Sequence, residues 1–298
     1  MFVKRNDGLD RVLLPFDIGA LLLAALLTAK GGVRGLLAAP VFLGWWLCAF
    51  LGLLIVFYFT IWLISLTVDM KKPVPADDHP VIRAIVVYVI GQLCRLGRVR
   101  IHCTGDEKLP EGRFLIVSNH RSAYDPIATV WALRKRPTAV ITKPENHRIP
   151  IAGPLIYQAN YLPIDREDPR AAMKTIHAAA DLLKNDVVSV AVYPEGTRNR
   201  APETGLLPFH NGVFKIAQKA SVPLAVAVIE GTEAVMKNTP WRPTDVYLRI
   251  CEVIPPEELT GSTAAVISSS RGSATDRFMY VGYFPCKRSK PLAGNFPL

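Results

Sequence analysis

The 298-residue chain has only five cysteines, Cys48, Cys94, Cys103, Cys251 and Cys286, and they are scattered, with no C-x-x-C pair. That count and dispersal exclude a disulfide scaffold and zinc-ligand spacing, and they fit reduced thiols in a cytosolic compartment. Neither G-x-G-x-x-G nor G-x-x-x-x-G-K-[ST] occurs, so nucleotide binding has no support. The absence of G-x-S-x-G weakens a serine hydrolase built on a Ser, His120 and an acid. There is no internal repeat. Charge is missing altogether from Leu36 to Val68.

What is present is an apolar excess gathered before residue 70, together with a formal net charge of +10. A basic chain with a hydrophobic start points to an anionic membrane surface rather than to nucleic acid. The uncharged run 36–68 exceeds what is needed to cross a ~30 Å hydrocarbon core as one helix, and Trp45, Trp46, Tyr58 and Trp62 suit its interfaces. The earlier segment, 12–29, contains Pro15 and Asp17 and is short for a span. It reads as the first arm of a hairpin turning at residues 30–34, with a re-entrant or interfacial helix as the alternative. Lys and Arg flank both segments, a bias that leans toward cytoplasmic termini.

"KKPVPADDHP" (71–80) is a Pro-rich, charged linker. Residues 81–100 are apolar with arginines gathered at the end, and a helix is expected over 81–97. Two readings fit equally: an interfacial helix whose arginines meet lipid phosphates, or a core helix packed under the domain. From residue 98 strand-like and helix-like runs alternate, which predicts an α/β domain with helices on a central sheet. "VRIHCTG" and "RFLIVSN" read as strands around a turn at 110–112, and Asp125-Pro126 as the N-cap and first position of a helix. The Ser-rich, then basic tail 261–298 has no periodicity and receives no function.

"VSNHRSAYDP" (117–126) places His120 five residues before Asp125. Neither a helix nor a strand brings such a pair together. A strand-to-helix junction does, and the sequence has one here. An imidazole oriented by a carboxylate keeps its other nitrogen as a general base suited to a hydroxyl proton. The bland alternative is an N-capping Asp beside a surface His.

A second constellation closes the buried run at "YPEGTR" (193–198). Gly196 permits a tight turn that points backbone N–H groups at one spot. Thr197 adds a hydroxyl, Arg198 a planar fork matched to phosphate, and Glu195 can hold that fork or a substrate hydroxyl. Lys143 and Arg166 each end a strand-like run and can converge with Arg198 as a cationic cluster.

Together, Asn119-His120 with Asp125, the block from Lys143 through "LPIDR", "YPEGTR" and "LLPFHNGVFKIA" (206–217) resemble the lysophosphatidic acid acyltransferase family over roughly residues 85–230. Ala227, in "VPLAVAV", stands where the family has a second Pro. The resemblance implies a central mixed sheet flanked by helices, preceded by an N-terminal membrane helical hairpin. The corresponding boundaries are an anchor at 1–70, a linker at 71–80 and the acyltransferase domain at 81–260. It further implies acyl transfer from acyl-CoA or acyl carrier protein to the sn-2 hydroxyl of a lysophospholipid. His120 is then the base and Asp125 its orienter. Arg198, Arg166 and Lys143 hold the glycerol phosphate, and Glu195, Gly196 and Thr197 belong to the same phosphate-binding site, with Gly196 and Thr197 shaping its pocket. Neither a metal nor a cofactor is implied. The protein is expected in the cell membrane with its catalytic domain on the cytoplasmic side. Alternatives are the same chemistry on glycerol 3-phosphate, another lysophospholipid or an amino-acid lipid, and a membrane-tethered module that binds anionic lipid.

Overall fold

The computed structural model describes residues 14–32, 34–199 and 207–260. The tail 261–298 and the first residues of the 12–29 segment lie outside them.

The hydrophobic start folds as two helices, α1 (Leu14–Lys30) and α2 (Ala38–Leu66), packed against each other. Small residues let them close: Ala20 and Ala24 are fully buried, and a Cβ on Gly19 would stand 3.4 Å from the Leu53 side chain. Phe16 meets Phe57 edge to face at 5.3 Å. Thus the hairpin forms as the sequence suggests. Among the described residues, α2 is the one helix long and apolar enough to cross a membrane. Its 29 residues extend ~43 Å.

After the linker comes α3 (Pro80–Leu96), with His79 accepting the Ile82 N–H as cap and Pro80 at the first turn. One face is core: Ile82, Val86, Ile90 and Cys94 are buried. Val81, Leu93 and Leu96 remain exposed. The core-helix reading therefore holds for one face of α3. Burial pushes the Cys94 thiol up to about 12, which leaves it an inert core group.

The domain then runs β1 (Val99–Thr104), β2 (Leu115–Ser118), α4 (Asp125–Ala132), β3 (Thr138–Thr142), α5 (Ala152–Gln158), β4 (Leu162–Pro163) and α6 (Pro169–Lys184). It closes with β5 (Ser189–Val192), α7 (Phe214–Ala220), β6 (Leu224–Glu230), α8 (Val235–Asn238), β7 (Thr244–Ile254) and α9 (Pro256–Thr260). The seven strands form one mixed sheet in the order β1-β7-β6-β2-β5-β3-β4. β2, β3, β4, β5 and β6 are mutually parallel; β7 runs antiparallel to β6 and parallel to β1. The two strands around residues 110–112 are therefore not neighbours, since β7 and β6 stand between β1 and β2.

β2 and β5 are wholly buried at the centre, as their unbroken apolar runs require. All the parallel strands deliver their carboxyl ends, and the loops that follow, to one end of the sheet. The antiparallel turn of β7 brings the starts of β7 and β1 to that same end.

Candidate active site

Asn119 and His120 follow the last residue of β2. The Asn119 side chain spans to β6, donating to the Ile229 carbonyl (2.9 Å) and accepting the Ile229 N–H (2.8 Å). This fixes where the loop leaves the sheet. Next in the chain, the loop turns back on itself, and His120 Nδ1 donates to Asp125 Oδ2 at 2.7 Å. The carboxylate accepts, so the proton lies on Nδ1 and Nε2 is left as the free acceptor.

Asp125 is fully buried. The same Oδ2 accepts the backbone N–H of Arg121 (2.7 Å) and of Ser122 (2.8 Å), while Oδ1 accepts the Thr232 hydroxyl. This corrects the expectation of an N-cap. Helix α4 begins at Asp125 itself, and the carboxylate serves the preceding loop and a distant Thr rather than the helix. With both oxygens engaged this way, the loop's donors compete successfully with the helix end.

The His120 ring stacks on Tyr193, at 4.7 Å between centroids and 27° between planes. The Tyr193 hydroxyl meets Thr129 at 3.1 Å. Burial, with the Asp125 charge adding to it, raises the Tyr193 pKa well above its ordinary value. Tyr193 is thus a neutral platform beneath the imidazole.

Glu195 also departs from expectation. It is 3% exposed, and its two oxygens accept the N–H of His120 (2.8 Å) and of Leu207 (3.0 Å). It ties the turn after β5 to the turn after β2. Gly196 has φ +69°, a conformation that favours glycine, and a Cβ there would lie 2.7 Å from the exposed His210 ring, which would have to shift. Thr197 is exposed and is not part of the cavity wall.

His120, Lys143, Arg166, Gly196 and Arg198 line one cavity of about 680 Å³, joined by His210. Lys143 follows β3, Arg166 lies beyond β4 and Arg198 follows β5, so three parallel strands carry the cations to the same end. Arg166 and Arg198 are exposed at the surface. Part of the Arg166 guanidinium is nonetheless desolvated, which lowers its pKa against the opposing pull of Glu145. Most of the remaining wall is apolar, with residues from α3 (Val86, Val89, Ile90), β3 (Val140, Ile141) and α6 (Ile176). A charged rim, a free imidazole nitrogen and an apolar channel therefore meet in one space. Among the described residues, no three His, Cys, Asp or Glu side chains gather as a metal-ligand group.

Asn119, Tyr193 and His210 lie within the motifs read from the sequence but received no role there, and Thr232 was missed. Thr232 has no local signal, because it reaches Asp125 from 107 positions away.

Residues 100–230 match the model of a family described as Acyltransferase. The chain is 30% identical over 180 residues to the 1-acyl-sn-glycerol-3-phosphate acyltransferase of Haemophilus influenzae, covering 60% of this chain and 72% of that protein. It is 27% identical over 176 residues to the protein of the same name from Limnanthes douglasii, 58% of whose length it spans. In fold it is similar to the crystal structure of the 1-acyl-sn-glycerophosphate (LPA) acyltransferase PlsC from Thermotoga maritima. That likeness has a TM-score of 0.51 at 23% identity and covers 76% of this chain and 86% of that one.

Proposed function

The chain belongs to the 1-acyl-sn-glycerol-3-phosphate acyltransferase family, and from that premise we propose that it transfers a fatty acyl group from a thioester to the sn-2 hydroxyl of a 1-acyl-glycerol 3-phosphate, forming phosphatidic acid. The observation that carries this reading is the shared cavity. His120, oriented by Asp125, opens onto the same space as Lys143, Arg166 and Arg198 and onto a long apolar wall.

In this reading Nε2 of His120 takes the proton of the acceptor hydroxyl as its oxygen attacks the thioester carbonyl carbon. The tetrahedral intermediate collapses to the ester, the C–S bond breaks, and the leaving thiolate takes the proton from the imidazolium. Asp125 holds the tautomer and stabilises the imidazolium as it forms. No acyl-enzyme is needed. Arg198 and Arg166, with Lys143, bind the glycerol phosphate, Gly196 lets the turn approach it, and the apolar wall takes the acyl chain. The acyl donor is acyl-CoA or acyl carrier protein. The α1–α2 hairpin holds the domain at the cytoplasmic face of the cell membrane, where a bilayer lipid and a soluble thioester meet.

The test is acyl transfer from labelled acyl-CoA and acyl carrier protein to a panel of acceptors in isolated membranes. Lysophosphatidic acid should be the preferred acceptor, and preference for glycerol 3-phosphate or another lysolipid would redirect the reading. His120→Ala should reduce thiol release by about 10²–10⁴-fold; near-normal turnover would remove the base from the mechanism.

A further inference from the structure

Trp241 is 83% exposed, and Leu96 (69%) and Met236 (68%) are nearly as open. The segments that carry them are joined by hydrogen bonds. The loop carrying Trp241 is fastened to the end of α3, with Arg98 Nη1 donating to the Trp241 carbonyl (2.9 Å) and the Thr244 N–H donating to the Arg98 carbonyl (3.1 Å). Exposed Arg98, Lys237 and Arg242 lie on the same two segments, within two residues of Leu96, Met236 or Trp241. Neither 95–98 nor 235–242 contains an acidic residue. An isolated exposed Leu would mean nothing. Trp, Leu and Met clustered with like-signed cations form the surface that anionic headgroups and the upper acyl layer accept together.

Its place in the fold sharpens this. Trp241 precedes β7 and Leu96 precedes β1, and both strands start at the end of the sheet where β2 delivers His120. β7 lies two strands from β2, ~10 Å away. The patch also adjoins the dyad in sequence: Met236 is four residues beyond Thr232, which hydrogen-bonds Asp125. Ile149, also exposed, lines the cavity itself. Finally, α3 climbs from the linker toward this end, and Tyr88, halfway along it, packs on Phe57 of α2 at 5.1 Å.

Resting on the reading of the chain as an enzyme of bilayer lipids, we infer that the Leu96–Met236–Trp241 patch is a second membrane contact, independent of the hairpin. It seats the active-site end of the sheet on an anionic bilayer, with Trp241 at headgroup depth and Arg98, Lys237 and Arg242 on lipid phosphates. The acceptor then enters the cavity sideways from the leaflet without crossing water.

The full chain is reconstituted in vesicles of equimolar phosphatidylcholine and phosphatidylglycerol. The fluorescence lost on Trp241→Phe substitution reports Trp241 alone. Brominated lipid should quench that component and aqueous iodide should not; the reverse pattern overturns the inference and leaves the patch to a protein partner. In parallel, Trp241→Ala and the double change Lys237→Gln with Arg242→Gln should each slow acylation of a long-chain acceptor in vesicles roughly tenfold. Both should turn over a water-soluble short-chain acceptor at the wild-type rate. Equal losses on both acceptors, or none on either, also overturn it. If the wild type acylates no acceptor, the functional reading fails while the quenching still decides the membrane contact.

Discussion

His120 and Arg198 face the same cavity, but they are held in different ways. His120 sits in a net of buried hydrogen bonds: its ring on Asp125, its own N–H on Glu195 and its carbonyl on the Asn199 N–H. Arg198 stands exposed on a turn, with Arg166 and Lys143 exposed nearby. A base must meet a hydroxyl within a few tenths of an ångström, so its loop is over-determined. A phosphate is a large diffuse charge that long cationic side chains can close around. The chemical side of the site is therefore rigid and the binding side adaptable, and substitutions on the two sides should separate kcat from KM.

The largest effect tests the rigid side through charge alone. Asp125→Asn can keep its shape: the amide oxygen can still accept from His120, Arg121 and Ser122, and Thr232 can rotate to accept from the new NH2 group. What disappears is the negative charge opposite the forming imidazolium. Turnover should fall by about 10²–10⁴-fold with the acceptor KM little changed. A KM effect of that size with kcat retained would place Asp125 in binding and undo the contrast.

The adaptable side should respond in the opposite parameter. Arg198→Ala should raise the acceptor KM about tenfold or more, the worth of a charge-assisted contact, while kcat at saturating acceptor stays near wild type. Arg198→Lys should recover only part, because a point charge replaces a two-pronged donor. An unchanged KM would take Arg198 out of the phosphate site.

The same contrast explains what could be read from the sequence. His120 and Asp125 lie five positions apart across one junction, so their meeting is a local event that chain geometry predicts. The helices and strands were legible for a similar reason, since burial imposes its period on neighbouring residues. The sheet order was not. The insertion of β6 and β7 between β1 and β2 depends on long-range pairing, which leaves no mark within either strand. Glu195 was misjudged because a carboxylate beside an Arg looks like its partner. Here two backbone N–H groups, one of them on another loop, claim it first. Asp125 was misjudged as a cap for the same reason: its donors come from the loop before the helix and from Thr232 far along the chain. For Glu195, and for the oxygen of Asp125 that His120 does not use, the group was visible and its partner was not.

Thr232 gives the smallest and most discriminating test. It lies fully buried at the turn after β6, and its hydroxyl donates to Asp125 Oδ1, the oxygen that His120 does not use. Gly231 just before it has φ +89°, and a Cβ there would meet the Asp245 carbonyl at 2.3 Å, so the turn is closely constrained and Thr232 has little freedom to move. Thr232→Val preserves shape and removes only the donor. Oδ1 is then buried without a partner, and the carboxylate can rotate away from the geometry that aims His120. The expected loss is roughly tenfold in kcat, in line with one buried hydrogen bond to a charged group, with KM for both substrates unchanged. Thr232→Ser restores the donor at the cost of one methyl group and should return most of the rate. If Ser is as impaired as Val, the methyl packing matters and the hydroxyl does not. Thr232 would then be an ordinary core residue rather than the positioning residue that completes the rigid side.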